Sequence, residues 1–279
     1  SRKQGARPTV LIPDPFYQIY SGAAIMAGAG PVYVPTVENN GFLPDFQALP
    51  ADKLERAVLA YLCSPSNPQG AVASLDQLRA YIRLARDLDF VLAADECYCE
   101  IYCGAPPPGI VEACASDNPD LRNVVAFHSL SKRSNVPGLR SGFVVGDSDL
   151  IEDFARLRQY TGGASPGPIL ATATALWQDE AHVEASRALY RDKFDDAERS
   201  IGSHPHFYRP DGGFYLWLKV GDGEQVARKL WASAGVKVMP GAYLSREGSD
   251  PPGKAYIRLA LVHDRATTAE ALARLAAHI

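Results

Sequence analysis

A lysine, an arginine and two serines lie close together in one short polar segment of the chain, which runs from position 129 to position 140. Hydroxyl groups and a guanidinium are groups that hold a phosphate, and a nearby lysine is free for covalent chemistry as a nucleophile. The residues in question are Ser129, Ser131, Lys132 and Arg140. Taken alone, the segment is explained at least as well by a basic loop in solvent.

A second polar segment, Asp95-Glu96-Cys97-Tyr98, directly follows the apolar run Phe90–Ala94. A carboxylate at the end of a buried strand costs free energy unless a cation or a strong hydrogen-bond donor meets it. The position of Asp95 therefore predicts such a partner. A helix N-cap is the alternative role for an aspartate at this place, and the segment alone does not decide between the two.

A third segment, Ser64-Pro65-Ser66-Asn67-Pro68-Gln69-Gly70, follows the apolar run Val58–Cys63. Its prolines and glycine favour an irregular loop, from which Asn67 can present an amide donor. Without the other two segments, an ordinary turn is the simpler interpretation.

The elements that must position these residues are short apolar runs that alternate with helical patterns. This alternation predicts an α/β fold with a mostly parallel sheet flanked by helices, and such sheets bind ligands at the carboxyl ends of their strands. All three polar segments follow predicted strands. The clearest helix is predicted over Leu75–Leu88, with a capping box formed by Ser74 and Gln77. The predicted strands are Thr9–Ile12, Val32–Val34, Val58–Cys63, Phe90–Ala94, Val124–His128 and Gly142–Val145.

The sequence changes character after Tyr160, where several glycines and prolines precede a long helical pattern. We therefore predict two domains, an α/β domain at residues 1–163 and a smaller C-terminal α+β domain at residues 164–279. The second domain is predicted to contain strands at Phe214–Val220, Val236–Met239 and Ala255–Leu261, and helices at Gly223–Ala234 and Thr267–His278.

The three segments together resemble the class I/II aminotransferases, which are pyridoxal-phosphate (PLP) enzymes with the type I fold. The resemblance rests on the order Asn67, Asp95, Lys132, Arg140 and Arg258, with spacings of 28, 37, 8 and 118 residues, and covers the chain from Pro8 onward. It implies the PLP-dependent transferase type I fold, PLP as cofactor and a homodimer. Within the family, the run from Ser129 to Asp147 looks most like succinyldiaminopimelate aminotransferases of lysine biosynthesis.

The resemblance also implies how each residue would bind the cofactor. Lys132 would hold PLP through a Schiff base and then move a proton between substrate and cofactor. Asp95 would pair with the pyridine nitrogen, and Asn67 and Tyr98 would bind the phenolic oxygen. Tyr17 would stack on the ring. The phosphate would be held by Ser129, Ser131 and Arg140.

The implied substrates are an amino acid and a 2-oxo acid. Arg258 would bind the substrate carboxylate in a bidentate pair, with Asn67 beside it. The expected reaction moves an amino group between N-succinyl-LL-2,6-diaminopimelate and 2-oxoglutarate. The alternatives are another class I member, such as an aspartate, aromatic or alanine aminotransferase or a C–S lyase, and a catalytically incomplete fragment.

The charge, the apolar pattern and the cysteine content of the chain disfavour nucleic-acid binding, a membrane span and a metal site. The 279 residues carry 28 Lys and Arg against 32 Asp and Glu, a net charge of −4 without a basic run, which disfavours nucleic-acid binding. We find no transmembrane pattern. Five cysteines in a chain of this size favour free thiols in a reducing cytoplasm, and their spacing does not match a metal site.

One departure from the family pattern concerns the beginning of the chain. Relatives carry a glycine-rich phosphate loop and a helix N-terminus that are absent upstream of Pro8. We therefore expect that on the order of a hundred residues of the N-terminal part are missing, including a helix N-terminus suited to phosphate.

Overall fold

The computed structural model of the chain describes residues 7–117, 120–162 and 165–279, and its largest element is a sheet of six strands. The strands are β1 (Thr9–Asp14), β2 (Gly30–Pro35), β3 (Ala57–Cys63), β4 (Val91–Asp95), β5 (Val124–Ser129) and β6 (Gly142–Gly146). Their order is β2-β1-β3-β4-β5-β6. The first five are parallel and β6 is antiparallel to β5, so the prediction of a mostly parallel sheet is confirmed.

Helices cover both faces of this sheet. On one face Leu11 packs in a buried cluster with Leu78 and Ile110, which come from two different helices. On the other face Val10 and Ile12 pack with Tyr20. Adjacent residues of β1 thus serve opposite cores, which explains why all six of its residues are buried and why the sequence there is apolar without alternation.

Ten α-helices are found in the part of the chain that the structure describes. The first five are α1 (Gln18–Met26), α2 (Ala51–Glu55), α3 (Leu75–Asp87), α4 (Ile110–Asp117) and α5 (Leu130–Arg133). The others are α6 (Ser148–Thr161), α7 (Gly167–Gln178), α8 (Ala181–Ile201), α9 (Gly223–Ala234) and α10 (Arg265–Ala276). None of the described helices is long and apolar enough to cross a membrane.

The capping box predicted for α3 is present. The backbone N–H of Gln77 donates to Oγ of Ser74 at 3.3 Å, and the N–H of Ser74 donates to Oε1 of Gln77 at 2.9 Å. Two of the donors that a helix N-terminus leaves without backbone partners are thereby satisfied, which defines where α3 begins.

A second, antiparallel sheet lies in the C-terminal part. Its strands are β7 (Tyr215–Lys219), β8 (Met239–Pro240) and β9 (Tyr256–Ala260), in the order β7-β9-β8. Leu216 and Ile257 pack there against Phe194 of α8, Leu230 of α9 and Leu272 of α10 in a second buried cluster. The predicted boundary between residues 163 and 164 lies outside the described residues, so the division into 1–163 and 164–279 stays a prediction.

The strand predicted at Val236–Met239 was too long and began too early. Residue 235 is a glycine with φ of +64°, and the N–H of Val236 donates back to the carbonyl of Leu230 at 3.2 Å. These are features of a glycine-terminated helix end. Val236 therefore still belongs to the C-terminal cap of α9, and pairing with β9 begins only at Met239.

Candidate active site

A cavity of about 400 Å³ opens at the carboxyl ends of β3, β4 and β5, within the size range of small-molecule sites. Parallel pairing sets Cys63 beside Asp95 and Asp95 beside Phe127, so these three strands end at one edge of the sheet. All nine residues that the sequence analysis selected line this cavity. They are Tyr17, Asn67, Asp95, Tyr98, Ser129, Ser131, Lys132, Arg140 and Arg258.

Lys132 lies on α5, the four-residue helix that directly follows β5. Its Nζ is 5.5 Å from the ring centroid of Tyr98. Within the described residues, no carboxylate forms an ion pair with Lys132. A lysine that faces a cavity without a counter-ion is available for covalent chemistry.

Asp95 ends β4, and both of its carboxylate oxygens accept hydrogen bonds. Oδ1 accepts from the N–H of Cys97 at 3.1 Å, and Oδ2 accepts from the hydroxyl of Tyr20. Burial, and next the nearby Cys63 and Asp95, hold the pKa of Tyr20 well above its usual value, so its hydroxyl stays protonated and donates. The strong donor expected for Asp95 is therefore Tyr20, but none of the ion pairs among the described residues gives this carboxylate a cation.

Asn67 and Arg258 come from opposite parts of the chain and meet in the cavity. Nη1 of Arg258 donates to Oδ1 of Asn67 at 2.9 Å. The Cζ atom of Arg258 lies 4.4 Å from the ring centroid of Tyr215, and its buried Nε has no hydrogen-bond partner. In the described part of the chain this guanidinium has no carboxylate partner either, which leaves it free to bind an anion.

Tyr98 is buried and shares a hydrogen bond of 3.0 Å with the hydroxyl of Tyr215. Burial is the main cause that raises the pKa of Tyr98, and the neighbouring Tyr215 adds to it. Tyr17 lies at the mouth of the cavity, where 47% of its surface is exposed. Its ring contacts Tyr20 edge-on at 5.7 Å between centroids. Both residues thus line the cavity, and their contacts to a cofactor remain predictions.

Two serines and an arginine, Ser129, Ser131 and Arg140, line another part of the cavity. The hydroxyl of Ser129 donates to Oγ of Ser131 at 2.9 Å and accepts from the N–H of Ser131 at 3.1 Å, so Ser129 also caps α5. Arg140 is exposed, has φ of +53°, and donates from Nη1 to the carbonyl of Pro137 at 2.8 Å. The two hydroxyls and this guanidinium form a group that suits a phosphate.

Several lining residues were missed by the sequence analysis, and the most important are Tyr20 and Tyr215. Tyr20 lies in the first turn of α1 and is buried with Ala24 four positions later, so a helical pattern of apolar residues starting at residue 18 would have indicated its inward position. Tyr215 had no such signal because it arrives from the second sheet. The thiols of Cys63 and Cys97 also line the cavity, and burial raises the pKa of both, which keeps them protonated.

Comparison with known proteins agrees with this geometry. The family model for aminotransferase class I and II matches residues 4–275. An LL-diaminopimelate aminotransferase of Syntrophobacter fumaroxidans is 33% identical over 274 residues, which are 95% of this chain and 68% of the relative.

Solved structures are similar along nearly the whole chain. An aminotransferase from Neisseria meningitidis superposes with a TM-score of 0.94 at 39% identity, over 98% of this chain and 70% of that one. A structure described as a probable N-succinyldiaminopimelate aminotransferase from Thermus thermophilus gives a TM-score of 0.88 at 25% identity, over 98% and 73%. The chain therefore belongs to the class I and II aminotransferases, which are PLP-dependent enzymes with the type I fold.

Proposed function

We propose that this aminotransferase moves an amino group between a diaminopimelate compound and 2-oxoglutarate, as a step of lysine biosynthesis. The observation that carries the proposal is that Arg258 and Lys132 face the same cavity and that, among the described residues, neither side chain has a carboxylate partner. One group can bind a carboxylate and the other can react with a carbonyl, and both are needed to handle amino and 2-oxo acids.

The cavity residues fit PLP on chemical grounds. No cation of the described residues pairs with Asp95, and the protonated pyridine nitrogen of the cofactor would supply one. Ser129, Ser131 and Arg140 would bind the phosphate, and Lys132 would hold the aldehyde carbon. When bound there, PLP supplies an electron sink that makes the α-proton of an amino acid acidic enough to remove.

The chain's own residues would then perform the binding and the proton transfer. Nζ of Lys132 would carry a proton from the α-carbon of the amino acid to the cofactor in one half-reaction, and in the opposite direction in the other. Tyr20 donates a hydrogen bond to Oδ2 of Asp95, which would hold this carboxylate in place beside the cofactor nitrogen.

Arg258 would orient both substrates. Amino acids and 2-oxo acids share a carboxylate next to the reacting carbon, so one guanidinium can bind each in turn. The guanidinium of Arg258 donates a hydrogen bond to Asn67, and its Cζ atom lies 4.4 Å from the centroid of the Tyr215 ring. These two contacts restrict the plane of the guanidinium. A guanidinium held in one plane would fix the orientation of the substrate carboxylate and thereby align the α-carbon of the substrate with Lys132.

The diaminopimelate assignment is supported by two kinds of relatives. Several LL-diaminopimelate aminotransferases are 31–33% identical to the chain, and the Thermus thermophilus structure carries the N-succinyl name. We propose N-succinyl-LL-2,6-diaminopimelate as the amino compound, with free LL-2,6-diaminopimelate as the nearest competitor. A second candidate function is aspartate transamination, since a Thermus thermophilus aspartate aminotransferase superposes with a TM-score of 0.84 at 26% identity.

A panel of amino donors tests the proposal. PLP-loaded protein is mixed with 2-oxoglutarate and either N-succinyl-LL-2,6-diaminopimelate, LL-2,6-diaminopimelate, aspartate, tyrosine or alanine, and glutamate formation is measured. We expect the highest kcat/KM for the N-succinyl compound. A preference for the free diamino acid would move the assignment to that substrate, and a preference for aspartate would overturn the diaminopimelate assignment.

The organisation of the molecule is also proposed from the family. We propose a PLP-binding domain at residues 1–163, a smaller domain at residues 164–279, and a homodimer that works in the cytoplasm. Light scattering of the purified protein at several concentrations tests the dimer. A mass equal to one chain at every concentration would contradict it.

A further inference from the structure

The helix that carries Lys132 is too short to hold its own orientation. α5 contains four residues, Leu130–Arg133, and Ser134 forms its C-terminal cap. Isolated helices shorter than roughly 12–15 residues are marginal in water, so a single turn keeps its geometry only through contacts from outside. Arg133 and Ser134, the two residues that directly follow Lys132, supply such contacts, and neither of them lines the cavity.

Arg133 is the first of these residues. It is only 5% exposed, and its Nη1 donates to the carbonyl of Leu176 at 2.7 Å. This carbonyl belongs to the last turn of α7, where no helical N–H is available to bind it. Nη2 of Arg133 forms an ion pair with Glu180, just before α8 begins. The guanidinium therefore joins α5 to the junction between α7 and α8.

Ser134 makes the second connection to the same junction. Its Oγ lies 2.8 Å from Nε2 of His182, and Nδ1 of His182 lies 2.7 Å from Oδ2 of Asp179. A serine, a histidine and an aspartate in this order resemble a nucleophile with its base. Ser134 is only 9% exposed, however, so a substrate carbonyl has little access to it, and the chain of hydrogen bonds acts as a structural link.

A third connection includes the segment that carries Tyr98. Nε of Arg133 lies 3.7 Å from Oε1 of Glu100, and Nη2 of Arg187 on α8 binds Oε2 of the same carboxylate at 2.8 Å. Glu100 stands two positions after Tyr98, and the ring of Tyr98 is the one that Nζ of Lys132 contacts at 5.5 Å from its centroid. The same ion-pair network thus fixes Lys132 and Tyr98 relative to each other.

We propose that Leu176, Glu180 and His182, the α7–α8 clasp, position Lys132 for its reaction through Arg133 and Ser134. Arg133 and Ser134 are positioning residues, since neither lines the cavity. Loosening the clasp moves Nζ of Lys132 relative to the α-carbon and the cofactor, and displacements of this kind reduce rates strongly. The inference rests on the proposed role of Lys132 and is independent of which amino acid is the substrate.

The test compares clasp variants of the PLP-loaded protein with the unchanged protein. Arg133→Met removes the guanidinium, Arg133→Lys keeps the charge but not the fork, and Ser134→Ala and His182→Gln weaken the second connection with little change in volume. Arg209→Met is the matched control, because Arg209 also pairs with two acids, Asp195 and Glu198, but at a place that contributes nothing to the cavity.

Six quantities are measured for each variant: the dissociation constant for PLP, the rate at which borohydride fixes PLP to Lys132, the pH midpoint of the visible absorbance, kcat, KM and the melting temperature. For Arg133→Met we expect kcat to fall by about 100-fold while KM changes by less than about threefold, with slower borohydride fixation and a shifted midpoint. Arg133→Lys should recover part of the loss, and Ser134→Ala and His182→Gln should show smaller shifts of the same sign.

The outcomes separate the clasp from a general loss of stability. If the clasp variants lower the melting temperature but leave fixation rate and pH midpoint the same as in Arg209→Met, the clasp has only a structural role and the inference is wrong. If Arg133→Met does not fold, Ser134→Ala and His182→Gln decide by the same criteria. If borohydride fixes no PLP to Lys132 in the unchanged protein, the proposed function itself fails.

Discussion

Nη1 of Arg258 donates a hydrogen bond to Oδ1 of Asn67 at 2.9 Å, although 191 positions separate the two residues in the chain. Asn67 lies in the loop after β3 of the large sheet, and Arg258 lies on β9 of the small one. The amide oxygen of Asn67 is thereby directed to the guanidinium, which leaves its NH₂ group as the donor available to the cavity. The two sheets thus each contribute one half of the proposed carboxylate site.

Arg258→Lys should weaken substrate binding more than it slows chemistry. A lysine keeps the positive charge but cannot form two parallel hydrogen bonds to a carboxylate. Because a hydrogen bond to a charged group contributes about 1.5–3 kcal/mol, we expect KM for the amino donor to rise by roughly 10- to 100-fold. Steady-state kinetics with the donor of highest kcat/KM provide the measurement.

The control for this variant is a primary amine without a carboxylate. Its slow reaction with the PLP-loaded protein should be nearly equal in the original protein and in Arg258→Lys, because no carboxylate is bound in either case. An equal loss for the amine and for the amino acid would show that Arg258 supports the fold of the cavity and does not recognise the carboxylate.

Replacing Lys132 by alanine should abolish both turnover and the covalent retention of PLP. Proton transfer by a positioned side chain contributes about 10²- to 10⁴-fold, so kcat should fall by at least about 10³-fold once covalent catalysis is lost as well. Borohydride treatment followed by mass spectrometry of the peptides locates the attachment. Lys219→Ala, at a half-exposed lysine near Glu38, is the control and should retain both properties. Borohydride labelling of another lysine in the original protein would refute the assignment.

Most of the selected site residues could be found from the sequence because they lie in short polar segments that follow predicted strands. Asn67, Asp95 and Ser129 all follow continuous apolar runs, and parallel pairing brings the ends of such runs to one edge of a sheet. The fold class followed from the same runs. Arg258 was found only through the resemblance to the family, since nothing local distinguishes it from a surface arginine on a strand.

Contacts between distant elements could not be predicted in this way. The partner of Tyr98 is Tyr215, 117 positions away, and its identity depends on how the two sheets pack. The strand that contains β8 was predicted to begin too early because the glycine cap of α9 reaches to Val236, a detail of a helix end that periodicity does not encode. Arg133 is adjacent to Lys132 in the sequence, and only the structure shows that it is buried and does not line the cavity.

Tyr20→Phe should weaken PLP binding without changing the core. The variant removes the hydroxyl that donates to Oδ2 of Asp95 and leaves the ring, which stacks on Tyr61 at 4.2 Å between centroids. Losing a hydrogen bond to a carboxylate costs about 1.5–3 kcal/mol, so the dissociation constant for PLP should rise by roughly tenfold or more. Tyr33→Phe is matched, since it removes a hydroxyl that binds Ser21 at 2.7 Å in the same apolar cluster. Unchanged or tighter binding in Tyr20→Phe would mean that this hydroxyl competes with the cofactor for Asp95.

Asp14→Asn should stabilise the protein at neutral pH, by an amount that depends on pH. Asp14 is completely buried at the end of β1, and this burial raises the pKa of its carboxyl group. Hydrogen bonds from Ser245 and Arg246 and the charge of Arg246, whose Nε lies 3.4 Å from Oδ2, lower the pKa but do not cancel the effect of burial. The folded state therefore binds the proton more tightly than the unfolded state, where the pKa is about 3.9. As the pH rises from that value through the raised pKa, the carboxyl group must ionise in a buried place and the protein loses stability.

Asparagine stays neutral, so the gain in stability from Asp14→Asn should be smallest near pH 4, increase with pH, and level off above the raised pKa. Melting temperatures of both proteins from pH 4 to pH 8 measure this difference, with Glu55→Gln at an exposed position as the control that should show no such trend. A gain that is constant with pH, or that decreases as the pH rises, would show that the charge of Asp14 is fully compensated by Arg246.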